Sequence, residues 1–265
     1  MNWNRIESRQ NPLVKLCASL SEKKVREREG FFLAEGMTLF LDLCEKGILP
    51  EKVLVSEKAM HLTDAVEARL EGSASETFVL SAPAFERVTS EKGSEGIVSV
   101  FSLVRLQEKI KPVSCRRLVA LENLQDPGNV GTVLRSAAAF GFDAVLTVGG
   151  ADPFSAKAIR ASMGAVGSVP VISFPDTASL MDWLEEKGIH SVAACLRTDS
   201  VPIEEANLSE PVCVLIGNEG KGLSEEAMTK SCERCIIPIS GMESLNAAAA
   251  ATVFLWEIKR RGGEA

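Results

Sequence analysis

A chain of 265 residues with 46% hydrophobic and 25% charged side chains suits one or two globular domains with full cores. No apolar run approaches the roughly 20 residues a membrane-spanning helix needs, and no signal-peptide core follows the first residues, so the sequence predicts a cytoplasmic protein without a membrane partner. Seven scattered cysteines and two lone histidines exclude a disulfide framework, leave Cys232-x-x-Cys235 short of a zinc ligand set, and predict no metal. The net charge of −7 works against nucleic-acid binding as a sum, which makes the local distribution of charge the quantity to read.

That distribution is uneven from the start. Residues 8–29 read as helix, and Arg5, Arg9, Lys15, Lys23, Lys24, Arg26 and Arg28 outnumber Glu7, Glu22 and Glu27 there. One basic face suffices to bind RNA phosphates on an acidic protein, and the alternative is a solvated helix face. A strand follows at Phe31–Ala34, then helical patterns at 37–46 and 62–70, with strands at 52–55, 77–80 and 96–101. This alternation implies a small α/β sandwich. Leu106–Ser114 is polar, charged and holds a Pro, as a linker would. The domains are therefore placed at 1–105 and 115–265, with residues 106–114 between them.

In the second half, apolar β-branched runs at 118–121, 144–148, 169–173, 191–196, 212–216 and 235–239 alternate with helical stretches. They predict a parallel sheet covered on both faces, an α/β domain of the doubly wound kind. Lys157 and Arg160 lie three apart on one helix, poised for phosphate or simply solvated. A helix at 245–260 opens on small residues.

Three strand ends carry the chemistry. Asn123-Leu-Gln-Asp-Pro-Gly-Asn-Val-Gly-Thr-Val-Leu-Arg135 passes from strand to helix, with Asn129 where an N-cap belongs and Arg135 able to fork onto a phosphate. Gly217-Asn-Glu-Gly-Lys-Gly222 ends a buried strand; it lacks the spacing of a phosphate loop. Ile237-Pro-Ile and Glu243-Ser-Leu-Asn246 precede the last helix. In a parallel sheet such junctions gather at one edge, where ligands bind. The spacing Gly128-x-x-Gly131 does not supply the Gly-x-Gly-x-x-Gly of a dinucleotide oxidoreductase.

In order and spacing, these segments resemble the SpoU/TrmH family of RNA ribose methyltransferases, part of the knotted SPOUT class. Phe32-Leu-Ala-Glu-Gly36 and Glu95-Gly-Ile-Val98 resemble that family's substrate-binding domain. The resemblance implies a C-terminal trefoil knot, which periodicity alone does not show, and a homodimer through the C-terminal domain. It implies S-adenosylmethionine as cofactor and an RNA ribose 2′-hydroxyl as acceptor, ribosomal RNA before transfer RNA. A catalytically inactive RNA-binding protein of the same fold is the competing reading.

By the same resemblance, catalysis falls to Arg135 with Asn129, Glu219, Ser244 and Asn246. Asn129 would orient Arg135 or the ribose, Glu219 would fix the loops, and Asn246 would line the site or cap the last helix. Cofactor contacts fall to Leu196, Gly217, Asn218, Gly220, Ile237, Pro238 and Leu245, with the glycines allowing close backbone approach. Arg9, Lys15, Lys23, Lys24, Arg26, Lys157 and Arg160 are the RNA-facing candidates. Arginine, with a pKa above about 12, is a poor base, so Arg135 is read as an electrostatic anchor.

Overall fold

The computed structural model describes residues 3–89, 95–112, 114–242 and 244–262, so Glu243 of the last motif and Val113 of the expected linker lie outside the described residues. Two compact units form, one from Met1–Ile110 with Phe154–Gly167 and one from Lys111–Pro153 with Ser168–Ala265.

The first unit runs β1 (Trp3–Ile6), α1 (Pro12–Ser19), α2 (Lys23–Glu29), β2 (Phe31–Glu35), α3 (Met37–Glu45), β3 (Lys52–Ser56), a 3-10 helix (Glu57–Leu62), α4 (Thr63–Arg69), β4 (Glu76–Leu80), α5 (Ala82–Val88), β5 (Ile97–Ser102) and α6 (Leu103–Lys109). Its sheet has the order β1-β4-β3-β5-β2, with β5 antiparallel to both neighbours. Side chains alternate along each strand. Leu54 of β3 joins Val14, Cys17 and Phe85 on one face, while Val53 and Val55 join Phe40, Val66 and Leu70 on the other.

The single helix read over 8–29 is two. Asn11 caps α1 by accepting the Leu13 N–H at 2.8 Å, with Pro12 at the first helical position, and the chain breaks at Leu20 before α2 begins. The expected linker also starts inside an element. Ser102 accepts the Arg105 N–H and caps α6, and Leu106 is 3% exposed, so residues 106–109 are helix ahead of Pro112. Residues of the later segment complete this unit: the Phe154 ring lies 5.8 Å from that of Phe32, and the Gly164 carbonyl accepts from Lys46 Nζ at 2.7 Å.

The second unit continues with β6 (Arg117–Glu122), α7 (Pro127–Phe140) and β7 (Ala144–Val148). After α8 (Ala156–Ser162), which packs in the first unit, come β8 (Val171–Phe174), α9 (Thr177–Glu186), β9 (His190–Ala194), β10 (Val201–Pro202), β11 (Val212–Ile216), α10 (Glu225–Lys230), β12 (Glu233–Ile236) and α11 (Ala247–Gly262). All seven strands are parallel in the order β10-β12-β9-β11-β6-β7-β8. Leu118, Leu146, Cys213 and Leu215 pack with Leu180, Leu184 and Ala227 on one face. Val133, Leu134 and Ala137 of α7 and Phe254, Leu255 and Ile258 of α11 are buried as well.

Strand ends shift from their expected places at 191–196 and 235–239: β9 stops at Ala194 and β12 at Ile236. Pro238 has no N–H for a ladder, so Ile237–Ile239 cannot extend the strand. That early stop leaves Leu196 and Ile237 in loops.

Candidate active site

The first wall is built where β6 ends. Asn123 adopts a left-handed turn at φ 54°, a conformation Asn tolerates better than most residues, and donates its N–H to the Val148 carbonyl at 2.8 Å. Asp126 then caps α7 by accepting the Gly128 N–H at 2.9 Å, with Pro127 at the first helical position. The cap is Asp126 and not Asn129, because proline already supplies the pre-set first turn three residues earlier than the sequence reading placed it.

Asn129 is thereby released for side-chain work. Its Nδ2 donates to Glu219 Oε1 at 2.9 Å, and its Oδ1 accepts from Asn246 Nδ2 at 3.1 Å. Both ends of the amide thus have partners in Glu219 and Asn246. Arg135 itself is exposed and makes no hydrogen bond or ion pair among the described residues. It stands six residues further along α7, about 9 Å of helix rise.

The second wall is the turn after β11. Asn218 and Gly222 exchange backbone hydrogen bonds at 3.0 and 2.9 Å. Asn218 Oδ1 accepts the N–H groups of Gly220 and Lys221, while its Nδ2 donates to the Asn123 carbonyl at 2.9 Å. Gly217 is required for a different reason from the one read off the sequence. A Cβ there would sit 2.2 Å from the Gly222 carbonyl carbon and 2.3 Å from the Leu223 nitrogen, so the close approach is made by the turn's own backbone. At Gly220 the nearest atom to an added Cβ is 3.7 Å away, which is ordinary contact.

Glu219 ties the two walls together. Its carboxylate accepts the backbone N–H groups of Gln125 and Asp126, each at 3.0 Å, besides Asn129. Burial pushes its pKa up, but the hydrogen bonds from Gln125, Asn129 and Asp126 outweigh that and hold it below the ordinary carboxylate value. It is an ionised acceptor, unsuited to taking up a proton.

The third wall comes from the loop before α11. Asn246 Oδ1 accepts the N–H groups of Ala248 and Ala249 and caps that helix while its Nδ2 reaches Asn129, so of the two roles left open for it the structure displays the cap. A cleft of about 570 Å³ lies against the second and third walls and the loop Ala194–Arg197 after β9, and no residue of the first wall lines it. Of the expected site residues, Leu196, Gly217, Asn218, Glu219, Gly220, Ile237, Ser244 and Leu245 line it, whereas Pro238, Asn129, Asn246 and Arg135 do not. Leu196 is 74% and Leu245 40% exposed at its mouth.

Sequence reasoning missed Met228, Glu225 and Phe254 in the lining. Phe254 is detectable as the apolar residue two turns into α11, whereas Glu225 shows itself only through its ion pair with Arg197. Cys195 and Cys235 also face the cleft. Burial pushes both thiols up, Cys235 to about 12, so neither is a thiolate nucleophile.

The RNA-facing candidates divide. Arg9, Lys15, Lys24 and Lys157 are exposed, and Lys23 is exposed with Glu27 at 3.9 Å. Arg26 is 3% exposed and donates Nη1 to the Leu20 carbonyl at 2.5 Å, which removes it from the list: its guanidinium satisfies the chain break between α1 and α2. Arg160 lies 4.0 Å from the carboxylate of Glu35.

A family model described as the SpoU rRNA Methylase family matches residues 116–256, and one described as an MRM3-like substrate binding domain matches residues 11–99. The chain is 31% identical to the 23S rRNA (guanosine(2553)-2'-O)-methyltransferase RlmP of Bacillus subtilis, over 96% of this chain and 99% of that protein. It is 29% identical to the 23S rRNA (uridine(2479)-2'-O)-methyltransferase of Streptomyces viridochromogenes, over 97% and 92%. The fold is similar to that of the AdoMet-bound rRNA methyltransferase from Sinorhizobium meliloti, with a TM-score of 0.84, 30% identity and coverage of 97% and 98%.

Proposed function

The chain belongs to the SpoU rRNA methylase family, and from that premise we propose that it transfers a methyl group from S-adenosylmethionine to a ribose 2′-hydroxyl of ribosomal RNA. The observation that carries this is the cleft itself, walled by the loops that follow the parallel strands β9, β11 and β12 at one edge of the sheet. Its volume of about 570 Å³ is in the roughly 300–1,000 Å³ range of small-molecule sites. Exposed Leu196 and Leu245 offer apolar surface to an aromatic ring beside backbone amides and carbonyls, so the residues present fit a nucleoside cofactor. Gly217, Asn218, Gly220, Ile237, Leu196 and Leu245 would hold it. When bound, S-adenosylmethionine supplies a methyl group activated by its sulfonium.

On the RNA side, Arg135 is the charge available to a phosphate, and its fork stabilises the ribose oxygen as the hydroxyl proton leaves. Arg135 does not take that proton, and Glu219 is held ionised as an acceptor by its donors, so the proton passes to solvent. Ser244 lines the cleft, while Asn129 and Asn246 keep α7 and α11 in register with Glu219.

The first unit recognises RNA in this reading, through exposed Arg9, Lys15, Lys23, Lys24 and Lys157. A homodimer through the second unit is part of it, supported by Trp256 and Val253, 53% and 38% exposed on α11. So is a knotted path, supported by β11 entering between β6 and β9 after both. A cytoplasmic location is part of the same reading, supported by ribosomal RNA as the substrate of the relatives. Mapping ribose methylation across total RNA from cells with and without this protein tests the function: one ribosomal 2′-O-methyl group is lost with the protein, and an unchanged map refutes it.

A further inference from the structure

Beneath the cleft lies a carboxylate that takes no part in the chemistry above. Glu122, the last residue of β6, is 2% exposed. Its Oε2 accepts the backbone N–H of Ser224 at 2.7 Å, and its Oε1 accepts the hydroxyls of Ser224 at 2.6 Å and Thr177. It forms no ion pair among the described residues. A buried carboxylate is costly unless donors surround it, and here one backbone N–H and two hydroxyls do.

The position of this group in the chain gives it a consequence. Glu122 directly precedes Asn123, and Ser224 directly follows the turn from Gly217 to Leu223. The two segments are fastened at Asn123 to Asn218, at Gln125 and Asp126 to Glu219, and at Glu122 to Ser224. Asn123, Gln125, Asp126 and Glu219 are exposed, so water competes for their bonds, whereas Glu122 is shielded. We propose that Glu122 is a positioning residue for cofactor binding, fixing the Gly217–Leu223 turn in the shape that forms the cleft. This rests on the function proposed above.

Calorimetric titration of S-adenosylmethionine into the full chain tests it. Glu122→Ala is expected to weaken binding about tenfold or more, while kcat at saturating cofactor stays within about threefold, because the residue touches no reacting group. Glu122→Gln restores most of the affinity, since its carbonyl takes the Ser224 N–H and the two hydroxyls rotate to accept. Leu180→Ala, a cavity in the α9 core outside the cleft lining, lowers Tm yet leaves Kd at the wild-type value. Should Glu122→Ala fail to fold, Ser224→Ala carries the test, with an expected weakening of about threefold.

Wild-type affinity in Glu122→Ala or in Ser224→Ala overturns the proposal. So does an equal loss in Leu180→Ala at matched Tm, which would reduce Glu122 to general support of the fold. A wild-type protein that binds no S-adenosylmethionine overturns the methyltransferase function itself, a separate and distinguishable outcome.

Discussion

Arg135 reaches solvent from α7 with a planar guanidinium that a lysine cannot imitate. Arg135→Lys keeps the charge but loses the two-pronged grip, so kcat should fall about a hundredfold or more while cofactor Kd moves less than about twofold. Single-turnover methylation with a parallel binding titration reads both numbers. Glu219 makes a prediction about acid. Its folded pKa lies below the ordinary 4.5, so its contribution to stability is fully present above that value and disappears as pH falls through the lowered one. Glu219→Gln should therefore cost Tm near pH 7 and converge with wild type as the pH falls below that lowered pKa. Burial is what sequence does not display at this scale. Arg26 and Lys24 read alike in a basic run, yet Arg26 turns inward to the Leu20 carbonyl while Lys24 stays exposed.

Among elements, the turn after β11 separates two glycines that look equivalent in Gly217-Asn-Glu-Gly. Gly217→Ala drives a Cβ into the backbone of Gly222 and Leu223, and should destabilise the second unit by about 3 kcal/mol. Gly220→Ala meets only ordinary contact and should unfold within about 1 kcal/mol of wild type, so denaturant melts of the pair decide the matter. The three loops of the site are legible in sequence because Gly, Pro and Asn punctuate the ends of apolar runs. What joins them is not: Glu219 reaches the Gln125 amide across 94 residues, and no local pattern announces a pairing of that span. The cap was misread because Asp126 and Asn129 are both capping types, and Pro127 at the first helical position decides between them, with the Gly128 N–H donated to Asp126.

At the level of the whole molecule, residues 154–167 pack with the first unit although β7 and β8, which flank them, belong to the second. Residues 115–265 expressed alone should bind cofactor with unchanged sites yet leave α8 without Phe32 and Lys46. Hydrogen exchange across 154–167 should then accelerate by about tenfold or more in the fragment, with the rest of the sheet protected as before, and RNA affinity should drop. Equal exchange in fragment and full chain would contradict this. Alternation of strands and helices made the two sheets readable, but a segment lent by one unit to the other leaves no periodic trace.

The place of β11 between β6 and β9 also governs how the chain comes off the ribosome. Leu118–Leu121 and Val192–Ala193 are synthesised well before Val212–Ile216, their common neighbour. Until residue 216 emerges, two apolar strand edges face each other across a gap, each with a row of open N–H and C=O groups. The central pairing spans about 95 residues and is of high contact order, which slows closure. A nascent chain paused before Val212 thus exposes both of these edges to sticking, and translation past that strand closes them, leaving the outer edge of β9 open until β12 follows.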